Sequence, residues 1–104
     1  MANLSLISDK KRQFEDLVCR FEGWQGLTLP DLLTLVGNDS KVARILSVDD
    51  KPVNGRTVSS WRTLERAPRT GTQALLYVLS DGVLTPNKIL SPFIEKKIKE
   101  LTGG

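Results

Sequence analysis

Histidine is absent from the chain and cysteine occurs once, at Cys19. The lack of histidine removes the commonest general base and the commonest zinc ligand, and one thiol cannot hold a structural metal by itself. Most familiar catalytic sets are thereby excluded: no catalytic residue, metal site or cofactor is called for, and an enzyme is not expected. The acids are scattered; Asp49 and Asp50 form a tight pair, and neighbouring carboxylates in a polar turn ordinarily face water. Cys19 falls in an expected helix and reads as a small, semi-buried filler. It has no partner for an internal disulfide, which fits a reducing compartment.

Long apolar runs are missing too. The longest uninterrupted one is Ala74 to Leu79, far below the roughly 20 residues that a bilayer span needs. The N-terminus lacks a signal-peptide pattern, so a cytoplasmic protein with no membrane partner is expected. There is no internal repeat, no low-complexity segment and no linker long enough to separate domains, and 104 residues suffice for one modest core. A single domain over residues 1–104 is therefore expected. Hydrophobic residues at 39% and charged residues at 26% allow that core to form.

What is present is basic charge in the middle. The net charge is +3, a mild lean toward an anionic partner. Between Lys41 and Arg69, seven basic residues (Lys41, Arg44, Lys51, Arg56, Arg62, Arg66, Arg69) face only three acids (Asp49, Asp50, Glu65). The central segment carries more than the whole net charge.

The punctuation and periodicity predict an all-α bundle of five to six short helices. Phe14, Leu17, Val18 and Phe21 recur at i, i+3, i+4 and i+7 within a first helix from Asp9 to Glu22, ended by Gly23 and Gly26. Thr28 caps a second, with Pro30 in its first turn, Leu29, Leu32, Leu33 and Val36 inward, and Gly37 as its stop. Ser40 is the cap candidate for a third segment containing Val42, Ala43, Ile45 and Leu46, and a turn follows from Asp49 to Pro52. A tight hairpin over Ile45 to Val53 is the alternative there. Asn54 caps a fourth helix running to about Glu65, with Val58, Trp61 and Leu64 inward. A fifth, Gln73 to Ser80, is apolar enough to be central. Thr85–Pro86 and Ser91–Pro92 read as two successive helix starts. The second opens a C-terminal helix from about 91 to 101, docked by Phe93, Ile94, Ile98 and Leu101, with Lys96, Lys97 and Lys99 mostly on its solvated side.

The most informative stretch is Val53-Asn54-Gly55-Arg56-Thr57-Val58-Ser59-Ser60-Trp61-Arg62. A helix entering the major groove needs one face that anchors it and another of short donors and acceptors with arginine, which can pair two bonds to guanine. Val58, Trp61 and Leu64 supply the first face. Asn54, Gly55, Arg56, Ser59, Ser60 and Thr63 project elsewhere and are the candidates for reading bases. Lys41, Arg44, Lys51, Thr57, Arg62, Arg66, Arg69 and Thr70 are the candidates for holding phosphates, since most protein–DNA contacts go to the backbone. Thr70, Gly71 and Thr72 at a helix start add backbone N–H donors.

The same stretch resembles the recognition helix of the lambda-repressor-like (Cro-type) helix-turn-helix family: a polar cap and a basic residue, Thr-Val-Ser, then a tryptophan before a charged residue. Glu65 to Arg69 and Ala74 to Leu79 are similar to that family's following loop and next core helix, so the resemblance covers about residues 28–80. It implies a helix-turn-helix, but with a lengthened turn or insertion. If Leu27 to Gly37 is the scaffold helix, 15 residues, Asn38 to Pro52, precede Val53. The other register, with Lys41 to Ser47 as scaffold, is preferred because it leaves a basic helix directly ahead of the recognition helix.

The function expected is sequence-specific binding of double-stranded DNA by a transcriptional regulator, a repressor first of all, acting as a homodimer because specific sites usually come as two half-sites. No small-molecule effector is evident. The alternative is a protein-binding adaptor or inhibitor that reuses a helix-turn-helix fold.

Overall fold

A computed structural model describes residues 2–47 and 52–103, with side chains from residue 7 onward. Six α-helices follow one another with no strand among the described residues: α1 (Ala2–Val18), α2 (Leu29–Val36), α3 (Asp39–Leu46), α4 (Gly55–Arg62), α5 (Thr70–Leu79) and α6 (Pro86–Leu101). Among the described residues, no helix is long and apolar enough to cross a membrane. The all-α class expected from the sequence is what the chain adopts.

Helix α1 begins at Ala2 rather than Asp9, since nothing before Asp9 is a glycine or proline that would stop it. It also ends sooner, at Val18. Beyond it, Phe21 N–H reaches only Val18 O, Trp24 N–H reaches Phe21 O, and Gly23 turns left-handed at φ +80. The chain folds back through a 3-10 turn, Trp24–Gly26, and the Trp24 ring meets Phe14 edge-on at 5.9 Å. Cys19, expected semi-buried inside the helix, instead lies just past its end and is exposed.

Helix α2 follows the expected bounds. Pro30 sits in its first turn and Gly37, at φ +68, returns its N–H to Leu33 O. The Thr28 hydroxyl donates to the Asp31 carboxylate, 3.1 Å, instead of capping a backbone N–H. The cap of α3 is Asn38, whose Oδ1 accepts from Lys41 N–H at 3.0 Å. Ser40, the expected cap, lies inside the first turn, because the left-handed Gly37 already delivers Asn38 to the capping position. Ile45 and Leu46 are buried helical residues, so a hairpin starting at Ile45 does not form. The turn assigned to Asp49–Pro52 lies, up to Lys51, outside the described residues. Its two ends are tied by Ser47: the hydroxyl accepts from Val53 N–H at 2.8 Å and lies within hydrogen-bond reach of both Ala43 O and Val53 O.

Helix α4 is capped as expected. Asn54 Oδ1 accepts from Thr57 N–H at 2.8 Å and from the Thr57 hydroxyl at 3.1 Å. Asn54→Ala is therefore expected to lower unfolding free energy by about 1 kcal/mol, read as a lower urea midpoint at unchanged slope; an unshifted midpoint would show that α4 is held by packing alone. The helix stops at Arg62, short of Glu65, because Leu64 adopts φ +65. Leu64 N–H then bonds Trp61 O and Glu65 N–H bonds Ser60 O at 2.8 Å, a Schellman closure with leucine where glycine is usual. That turn leaves Leu64 half-buried rather than in the core.

Helix α5 starts at Thr70, taking in the Thr-Gly-Thr expected to precede it. Its apolar run is not central: Leu76 and Leu79 are buried, but Tyr77 and Val78 are each 47% exposed. The two expected C-terminal starts are one helix. Thr85 caps α6, accepting from Lys88 N–H at 3.3 Å, and the helix runs through Pro92. Ser91 cannot cap because it is already helical, and Ile89, Leu90 and Phe93 hold the core on both sides of the proline. The expected docking by Ile94, Ile98 and Leu101 does not occur; they are 56%, 53% and 77% exposed.

One core joins all six helices, built chiefly from Phe14, Leu17, Leu29, Leu32, Leu33, Ile45, Val58, Trp61, Leu76, Leu79, Leu84 and Ile89. Helix α4 packs mainly on α3 and also on α2; α1 packs on α5 and α3; α6 rests on α2 and α5. Residues 94–101 of α6 are exposed.

Candidate nucleic-acid interface

Two buried residues, Val58 at 0% and Trp61 at 3% exposure, fix which way α4 faces. At about 100° per residue, the side opposite them carries Arg56 and Thr63 on its centre line, with Ser59 and Ser60 to either side. Arg56, Thr57 and Thr63 are exposed, and Ser59 and Ser60 are half-buried.

The remaining base-reading candidates are placed differently. Asn54 is exposed, but its side-chain oxygen is taken up by the cap. Gly55 faces α3: a Cβ there would lie 3.2 Å from Ser40 Oγ and 3.6 Å from the Ser40 backbone. Its smallness therefore serves the close crossing of α3 and α4, a role invisible without the tertiary pairing.

Of the phosphate candidates, Lys41 and Arg44 are exposed on α3, and Arg66, Arg69 and Thr70 are exposed in the loop after α4 and at the start of α5. Lys51 lies outside the described residues. Arg62 is engaged within the fold. Its Nη2 lies 3.0 Å from Asp39 Oδ2 and its Nε 3.4 Å from Oδ1, and Nη2 also lies 3.2 Å from Ser59 Oγ. The hydrogen bond that the guanidinium donates to Asp39, with the Coulomb attraction of the same carboxylate, raises its pKa above the ordinary value. Asp39 and Arg62 are 23 residues apart, so no local spacing marks them as a pair.

Three lysines reach backbone carbonyls across the fold: Lys10 to Arg44 O, Lys88 to Gln25 O and Lys96 to Leu64 O. The Lys96 contact ties α6 to the turn that ends α4. Lys11 pairs with Asp81, whose hydrogen bond is the main reason its ammonium pKa is raised. A concavity of about 350 Å³, lined by Phe14, Val18, Cys19, Trp24, Leu79 and Asp81 among others, includes no residue of α4.

Compared with known protein families, curated proteins and solved structures, the chain finds no match.

Proposed function

We propose that the chain is a cytoplasmic transcriptional regulator, a repressor, that binds double-stranded DNA in a sequence-specific manner through α4. The observation that carries this reading is the composition of one helix face: Arg56, Ser59, Ser60 and Thr63 opposite the anchors Val58 and Trp61. The exposed cations Lys41, Arg44, Arg66 and Arg69 lie on the elements that flank α4 in the chain. A short helix whose outer side is small hydroxyls and one arginine lets its backbone approach base edges closely, and arginine can pair two bonds to guanine. The resemblance of residues 53–62 to a lambda-repressor-like recognition helix supports the same reading, with α3 as scaffold and Ser47–Asn54 as the lengthened turn. In it, Arg56, Ser59, Ser60 and Thr63 read bases, Asn54 caps the helix start and Gly55 seats it against α3, and Lys41, Arg44, Thr57, Arg66, Arg69 and Thr70 hold phosphates, with Lys51. Arg62, already paired to Asp39, is left to position Ser59.

Two copies would meet a two-fold site. The unpartnered stripe of α6, Ile94, Ile98 and Leu101, is the surface we assign to the second copy. Ile94→Asp with Ile98→Asp is expected to leave the fold intact, since both side chains are more than half exposed. The double substitution should turn a dimer into a monomer by analytical ultracentrifugation and weaken binding to a symmetric site roughly 100-fold, as expected when two half-sites no longer act together. Wild-type protein that remains monomeric at tens of micromolar, with and without DNA, would contradict the assignment.

A protein-binding adaptor on the same fold is the second reading, favoured by that same exposed stripe. An adaptor ignores duplex DNA and tolerates Arg56→Ala together with Ser60→Ala; a regulator loses specificity. Electrophoretic mobility shift of a random duplex pool separates the two.

A further inference from the structure

Two adjacent serines on α4 have their hydrogen-bond roles set from within the protein, and set oppositely. The guanidinium of Arg62 can only donate, and its Nη2 lies 3.2 Å from Ser59 Oγ. That oxygen therefore accepts, and its own hydrogen has no acceptor among the described residues. The positive charge beside it disfavours a second incoming donor and strengthens the O–H as a donor. Ser60 is the reverse case. Its Oγ lies 2.6 Å from Thr57 O, a carbonyl that can only accept, so the single hydroxyl hydrogen of Ser60 is used up and only its lone pairs face outward.

Resting on the reading of α4 as a major-groove helix, we infer that Ser59 and Ser60 determine specificity with fixed and opposite polarity, Ser59 as a donor and Ser60 as an acceptor. The base edges translate this directly. In the major groove cytosine offers only its N4 amino donor, whereas guanine, thymine and adenine each offer an acceptor. Ser59 therefore rejects cytosine at the edge it meets. Adenine and cytosine carry amino donors, whereas guanine and thymine present acceptors only. Ser60 therefore selects adenine or cytosine. Asp39 and Arg62 are positioning residues in this scheme: Asp39 holds the guanidinium through two contacts, and the guanidinium fixes the polarity of Ser59.

The test is sequence selection from a random duplex pool by the full chain and three variants: Ser59→Ala, Ser60→Ala, and Asp39→Asn combined with Arg62→Met, which removes the clamp without leaving either charge alone. Each alanine variant identifies its base position as the one where preference flattens. At the Ser59 position the wild type should disfavour cytosine roughly tenfold, and at the Ser60 position it should disfavour guanine and thymine by a similar factor. The clamp variant should reduce cytosine rejection at the Ser59 position to within about twofold while leaving the Ser60 position unchanged, a pattern that a general loss of folding or affinity does not produce. Cytosine enriched at the first position, guanine or thymine at the second, or cytosine rejection surviving removal of the clamp overturns the serine roles and leaves DNA binding standing. A wild-type pool with no enriched sequence overturns both.

Discussion

Trp61→Ala is expected to remove about 3–5 kcal/mol of stability, the largest loss we anticipate from a single substitution in this chain. The indole is 3% exposed and belongs to the one core that joins all six helices. Domains of this size have total stabilities of about 5–15 kcal/mol, so the variant should sit near the edge of folding at 25 °C. Only Val58 would then remain to bury α4, and Val58 alone cannot hold an eight-residue helix that is too short to be stable in isolation. Urea unfolding followed by far-ultraviolet circular dichroism measures the effect. Trp24→Ala serves as the comparison, because Trp24 is only half-buried at the rim and should cost less. A Trp61→Ala loss under about 1 kcal/mol, or one no larger than that of Trp24→Ala, would mean that α4 is not anchored as described.

The second large effect is electrostatic. Each phosphate neutralised by lysine or arginine releases condensed counterions, and the logarithm of affinity falls by about 0.9 per contact per decade of salt. Lys41, Arg44, Arg66 and Arg69 are exposed on α3 and just beyond α4; doubled in a dimer, these four alone give a slope of about −7, which Lys51 would only steepen. Affinity for duplex DNA should therefore drop by about four orders of magnitude between roughly 50 and 200 mM salt. Replacing Arg66 and Arg69 together by alanine should flatten the slope by about 3 to 4 while leaving the preferred sequence unchanged, because phosphate contacts fix register and carry no sequence information. A slope near zero, or a preferred sequence that changes with Arg66 and Arg69, would sink the assignment of these residues to phosphates.

What could be read from the sequence was local. Gly37 as the stop of α2, Asn54 as the cap of α4, and Val58 and Trp61 as its buried pair all depend on residues within one or two turns of one another, and each is found where expected. The cap of α3 moved from Ser40 to Asn38 by the same local physics, once Gly37 was seen to turn left-handed. What failed depends on partners distant in the chain. Pro92 lies inside α6 because Ile89, Leu90 and Phe93 are held by helices that no window around Ser91 contains. The apolar spacing of Ile94, Ile98 and Leu101 is real, yet the fold brings nothing to cover it. Periodicity reports that a face is apolar and says nothing of what meets it. Within the site, the outward character of Arg56 and Thr63 was legible from helical spacing. The clamp from Asp39 through Arg62 to Ser59 and the close approach of Gly55 to Ser40 were not, because both arise only where α3 crosses α4.

The most direct test of the central claim is a binding titration of the purified chain against a random duplex pool with sequence selection, at two salt concentrations, alongside the Arg56→Ala plus Ser60→Ala variant. DNA recognition through α4 requires enrichment of a two-fold symmetric site by the wild type, weaker binding at the higher salt, and loss of that enrichment in a variant that remains fully helical. A folded wild-type protein that binds no duplex at either salt would contradict it and turn attention to a protein partner.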